Sequence, residues 1–179
     1  MAWFVAGRHP DRVKSLTILS RPHPAAFRRA FTEDASGQQH RSRHHKAFHD
    51  RKTTAVLLEN GAQRLRATLA GNGVPPAAID EYLSVLGNEA GLEAALAWYR
   101  AAGAIANMEI GTISSPTLYM WGDQDGSVGR SAAEWTREHV SGAYQFAVID
   151  GAGHFLTDDR PDRVTTLLLN HIARTAQVR

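Results

Sequence analysis

The sequence contains no cysteine, which excludes disulfide frameworks, thiolate nucleophiles and zinc–thiolate sites. No apolar run approaches the ~20 residues that span a bilayer, and the mean hydropathy is -0.32. The amino-terminal stretch MAWFVAGRHPDRV has no charged start, long apolar middle or small-residue cleavage site of a secretory leader. A soluble, cytoplasmic protein without a membrane partner is the expectation. Charge of one sign is also scarce: 20 Lys and Arg against 18 Asp and Glu leave +2, too little to imply nucleic acid as a partner. Internal repeats, low-complexity tracts and flexible linkers are not apparent. What the 179 residues do contain is a 43% hydrophobic fraction, enough for one core and so for one domain.

Along the chain, RVKSLTILS (12–20) is a short apolar run behind the turn-like HPD and reads as a buried strand that the two prolines of RPHP bring to a stop. From 24 to 107 the pattern is helical, with AAFRRAF, KTTAVLLENGAQRLRATLAG, PPAAIDEYLSVLG and GLEAALAWYRAAG separated by Gly and Pro. Then SPTLYMWGDQDG reads as a strand, GRSAAEWTREHV as a helix, YQFAVIDGAG as a strand and DRPDRVTTLLLNHIARTA as a final amphipathic helix. This alternation predicts an α/β fold, with a parallel sheet of about three strands built from 1–23 and 108–179. Residues 24–107 become a helical insertion placed to act as a lid. Parallel strands need cover on both faces and neighbours on both sides, so an open strand edge and self-association through it are expected.

Chemistry concentrates at two strand ends. MWGDQDGSVG sets Asp123 and Asp125 just beyond one strand, and GAGHFLTDDRPDRV sets His154 just beyond the next. Adjacent parallel strands bring such residues to one rim, where open α/β sheets keep their active sites. A carboxylate that accepts from one imidazole nitrogen leaves the other as a base. Taken singly, Asp125 before Gly126 is also a good turn former.

Four stretches, HPDRVKSLTILSRPHPAAF (9–27), GLEAALAWYRAAG (91–103), PTLYMWGDQDGSV (116–128) and GAGHFLTDDRPDRV (151–164), resemble in order the carboxyl-terminal part of an α/β-hydrolase. More narrowly they resemble the epoxide hydrolase branch, with dehalogenases and esterases as relatives. The resemblance makes the helical insertion a cap, Asp125 the acid and His154 the base, in the chain order nucleophile, acid, histidine. It implies an Asp nucleophile that attacks an epoxide carbon to form an ester, and water activated by His154 to cleave it. It implies no cofactor and a small apolar epoxide or related substrate. Cap tyrosines hydrogen-bond the epoxide oxygen in that scheme; Tyr99 matches one, and His44 stands where the other would fall. His23 in RPHP and Trp98 beside Tyr99 are expected to line the substrate site. The resemblance puts the nucleophile ahead of Met1: no Gly-x-Ser-x-Gly occurs, no serine stands at a strand-to-helix elbow, and Asp11 sits in a surface-type turn. This chain alone is therefore expected to be inactive, either half of a longer enzyme or a non-catalytic module that pairs through its edge strand.

The segment QQHRSRHHKAFHDRK pairs His40 with His44 and His45 with His49 at i, i+4, a spacing that can hold zinc. It has no Glu beside the first histidine, as a zinc-protease helix requires. A solvated polar helix face is expected there, and no metal site is assigned.

Overall fold

The computed structural model describes residues 1–102 and 108–177. Its centre is a three-stranded parallel sheet in the order β1 (Leu16–Leu19), β2 (Thr117–Gly122), β3 (Tyr144–Ile149). Leu16 is in register with Thr117, and Thr117 with Tyr144. The predicted strand 12–20 is shorter than expected at both ends. Pro10 fixes a turn of 3-10 helix over Pro10–Arg12, and Ser20 leaves the strand with φ 57.

Every residue of β2 is buried, as a central parallel strand requires. Leu118 and Met120 point to a cluster with Ile149, Leu156, Val164 and Leu167. That cluster is covered by α8 (Leu156–Asp159) and α9 (Pro161–Ala176). Tyr119 and Trp121 point the other way, into a core with Trp3, Ala6, Leu16, Ile18, Ala132 and Ala133. Here the cover comes from α1 (Ala2–Arg8) and α7 (Arg130–Trp135). The alternation of side chains along β2 thus supplies both layers, and each large side chain buried in them stabilises the fold by ~1.5–3 kcal/mol.

Between β1 and β2 the described chain is helical: α2 (Pro24–Glu33), α3 (Arg43–His49), α4 (Lys52–Ala70), α5 (Pro76–Leu86) and α6 (Glu89–Ala101). The expected insertion boundary at 24 coincides with the start of α2, but α2 packs on α7 and its Ala30 joins the core beneath the sheet. The helices set apart from the sheet are therefore α3 to α6. The other expected boundary, at 107, lies outside the described residues. Leu69, Val74 and Ile79 form a separate small cluster there, with Tyr82 and Phe155 against it. The run KTTAVLLENGAQRLRATLA is not one straight helix: Asn60, Gly61 and Ala62 all have positive φ. Asn and Gly tolerate that left-handed region better than other residues, which is why the break falls at ENGA. Among the described residues no helix is long and apolar enough to cross a membrane.

Candidate active site

β2 and β3 run side by side to the pair Gly122 and Ile149, so the residues that follow share one rim. Asp125 is held there by its own turn. Its backbone N–H donates to the Gly122 carbonyl at 3.1 Å, and its Oδ1 accepts from the N–H groups of Ser127 at 2.7 Å and Val128 at 2.9 Å. The turn-former reading is thus correct for one oxygen. The other, Oδ2, stands 2.8 Å from Nδ1 of His154. Asp125 is 0% exposed, whereas the His154 side chain is 29% exposed. An acceptor-only carboxylate holds the proton on Nδ1 and leaves Nε2 as the basic nitrogen. Among the described residues no hydroxyl or second carboxylate bonds to the imidazole.

The loop carrying His154 is clamped from several sides. A Cβ on Gly122 would run into the carbonyl oxygens of Ala152 and Gly153, so glycine here lets the histidine loop lie against the end of β2. Gln124 N–H donates to the Ala152 carbonyl at 3.0 Å. Asp123 Oδ1 accepts from Gly151 N–H at 2.7 Å, and Asp159 Oδ2 accepts from Gly153 N–H at 2.7 Å. Of the two acids read from the sequence, Asp123 therefore braces the turn and Asp125 faces the imidazole. Ser20 adds the third side: its Oγ–H donates to the His154 carbonyl at 2.6 Å, and its own carbonyl accepts from the Tyr119 hydroxyl at 3.2 Å. Among the described residues Ser20 is the one serine at a strand end with a positive φ, yet its hydroxyl meets the histidine's backbone and not its ring.

Tyr99, on α6, sits in an aromatic cluster with Phe48 at 4.7 Å, His45 at 5.5 Å and His44 at 6.3 Å between ring centroids. Its hydroxyl has no hydrogen-bond partner among the described residues. Burial raises its pKa, and the nearby Arg21 guanidinium opposes the rise. His44 donates Nδ1–H to the Arg41 carbonyl at 3.0 Å. Burial lowers its pKa against that bond, and the charges of His154, Arg21 and Arg43 lower it further. A neutral His44 held this way has no proton on Nε2, so it offers an acceptor and not the donor expected from its alignment with a tyrosine. His45 is pushed down to about 4, by burial first and then by His44 and Arg21. His44 and Phe48 also wall a cleft of about 350 Å³ with Val56, Leu57 and Leu65.

Two expected site residues lie elsewhere. His23 is 3% exposed; its Nδ1 accepts from Ala25 N–H at 3.3 Å, capping α2, and its ring stacks on His139 at 4.3 Å. It serves the helix start and the core, as the rigid turn of two flanking prolines allows. Trp98 is 63% exposed, because Leu92, Leu96 and Tyr99 occupy the inward face of α6 and the next position points away. Ser20 and Arg41 were not anticipated. Arg41 donates through Nη1 to the Asp125 carbonyl, tying the segment before α3 to the dyad, and only its place in an Arg-rich stretch hinted at it.

An Asp–His pair thus stands at adjacent parallel strand ends, tied through Arg41 to the helical segment. The α/β hydrolase fold family matches residues 1–161, and the chain belongs to that family. Within the family the likeness runs to epoxide hydrolases. The chain is 21% identical over 178 residues to epoxide hydrolase 4 of Mus musculus, covering 94% of this chain and 49% of that protein. It is 33% identical over 98 residues to epoxide hydrolase A of Mycobacterium tuberculosis, covering 52% of this chain and 30% of that one. The fold of a mutant epoxide hydrolase from Bacillus megaterium superposes with a TM-score of 0.75 at 18% identity, covering 96% of this chain and 64% of that chain. The chain thus spans about half the length of the curated relatives it matches over most of its own length.

Proposed function

We propose that Asp125 and His154 are the water-activating pair of an epoxide-hydrolase-like site acting on a small molecule. The observation that carries this reading is the 2.8 Å contact between Asp125 Oδ2 and His154 Nδ1, with Nε2 free of protein partners among the described residues. In the reaction, Nε2 takes a proton from water, the water attacks an enzyme-bound ester, and Asp125 stabilises the imidazolium. Tyr99 donates its free hydroxyl to the oxygen that gains charge as an epoxide ring opens, and the helices α3 to α6 act as the cap that excludes water. The carboxylate that forms the ester is supplied from outside these 179 residues, so the chain alone does not turn over. A relative that cleaves carboxylic esters or carbon–halogen bonds would use the same pair.

The test is hydrolysis of a chromogenic epoxide and of a carboxylic ester by the 179-residue chain and by His154→Ala. Neither protein should exceed background. Fused behind the first half of epoxide hydrolase A, the chain should turn over the epoxide, and His154→Ala should then cost ~10²–10⁴-fold. Turnover by the chain alone would overturn the need for an outside nucleophile, and turnover indifferent to His154 would overturn the dyad. A pairing module is the second reading, favoured by β1 being an outer strand bonded on one side to β2. A concentration-dependent dimer in sedimentation, abolished by proline at Thr17, would support it.

A further inference from the structure

The residues between α2 and α3 reach across to the turn that carries Asp125. Asp34 ends α2, and its Oδ1 accepts from Gly37 N–H at 3.2 Å, which starts a widened helical turn over Ala35–Gln39. That turn delivers Gln38, a polar residue 0% exposed. Its amide is met at both ends: Nε2 donates to the Ser127 carbonyl at 2.9 Å and to Ser42 Oγ at 2.7 Å, and Oε1 accepts from Gly129 N–H at 2.9 Å. A carbonyl at one end and an N–H at the other fix which way the amide points. Two further bonds flank it. Arg41 donates to the Asp125 carbonyl, and Ser131 Oγ–H donates to Asp34 Oδ2 at 2.9 Å. Gln38 thus grips the chain on either side of Val128, whose N–H, with that of Ser127, holds Asp125 Oδ1. An apolar side chain at 38 would leave a carbonyl and an N–H of this loop unmet.

We propose that Gln38, seconded by Arg41, is a positioning residue for the dyad: it fixes the 125–129 loop from the helical segment, so that Asp125 keeps Oδ2 aimed at His154 Nδ1. Asp125 gives one oxygen to its own turn and one to the imidazole, and the second is aimed only while the first stays seated. The turn would not hold that seat unaided, because Gly126 is exposed and glycine leaves the backbone free to move. The contact between acid and histidine is therefore conditional on the seat of residues 34–42. The proposal rests on the hydrolytic reading, in which Asp125 stabilises the imidazolium, only for its effect on turnover.

NMR of the isotope-labelled 179-residue chain tests this with two readouts, amide exchange at Val128 and the tautomer of His154. Gln38 touches neither group, so both report its action through Asp125. Gln38→Met keeps the side chain's length and removes its donor and acceptor. Val128 should then exchange ~10-fold faster relative to Met120 in the middle of β2, and the share of His154 protonated on Nδ1 should fall. Arg41→Met should move both in the same sense. Thr54→Ala, which breaks a bond to Glu93 within the helical block, should move neither. Val128 and Met120 speeding up in step, a His154 tautomer unmoved by Gln38→Met, or Thr54→Ala matching the Gln38 variant would each overturn the proposal. Should Gln38→Met fail to fold, Arg41→Met decides on the same two readouts. In the fusion, Gln38→Met should lower kcat ~10–100-fold and leave KM little changed. A fusion indifferent to His154, with both NMR changes present, would sink the hydrolytic reading alone. A His154-dependent fusion whose kcat ignores Gln38→Met would sink this one.

Discussion

His23 makes the fold sensitive to acid in a way that can be isolated. Its ring is buried against Trp3 and His139, and burial first, then the charges of His139 and Arg28, hold its pKa down to about 4 from 6.5. Its Nε2 has no hydrogen-bond partner among the described residues, so a proton there would be buried without an acceptor. Between those two values the unfolded chain binds more protons than the folded one. Stability is therefore whole above pH 6.5 and falls as the pH drops toward 4, by roughly 3 kcal/mol for the full shift. Of this, about 2 kcal/mol is lost between pH 7 and pH 5. His23→Asn keeps a side-chain acceptor for the Ala25 N–H, a favoured N-cap, but removes the titrating ring. Urea unfolding followed by circular dichroism at both pH values measures the effect. The native protein should be more stable than His23→Asn at pH 7, and that advantage should shrink by about 2 kcal/mol at pH 5. An advantage that stays constant across this range would refute the reasoning.

Gly122→Ala should destabilise the protein by ~1–3 kcal/mol in the same assay, because the new methyl meets the Ala152 and Gly153 carbonyls; the His154 resonances should move with it. Ser20→Ala should cost about 1 kcal/mol through the lost bond to His154. Ser20→Gly, which loses the same bond but suits the φ of 57, should be the more stable of the two in thermal denaturation. Tyr82→Phe removes the hydroxyl that donates to Asp158 at 3.2 Å, the tie between α5 and α8, and should cost ~1 kcal/mol while leaving the His154 spectrum unchanged.

The parallel sheet and the dyad were legible in the sequence because apolar runs ending in Gly and Asp mark strands that stop at a rim. YQFAVIDGAG and TLYMWGDQDG carry both signals, and the structure has β3 and β2 there. The choice between Asp123 and Asp125 was not in local pattern, since both follow the same strand; it depends on which one the histidine loop reaches across the rim. Trp98 could have been placed correctly, because Leu92, Leu96 and Tyr99 share one helical face and Trp98 does not. His23 was harder, as a buried capping histidine and a site histidine look alike between two prolines. The ENGA break in α4 was available locally in Asn-Gly, whereas the left-handed Ser20 is signalled by nothing local. Arg41 was unreadable, because an arginine's value to a site depends on whether an anion or carbonyl faces it in space.

The most direct measurement is the nitrogen NMR of the His154 imidazole, recorded at a pH above its titration in the native chain and in Asp125→Asn. The expected result is a protonated Nδ1 and a bare Nε2 in the native chain, with that preference lost or reversed when the carboxylate becomes an amide that can itself donate. A proton on Nε2 in the native chain, or a tautomer indifferent to Asp125, would contradict the assignment of these two residues as a working pair.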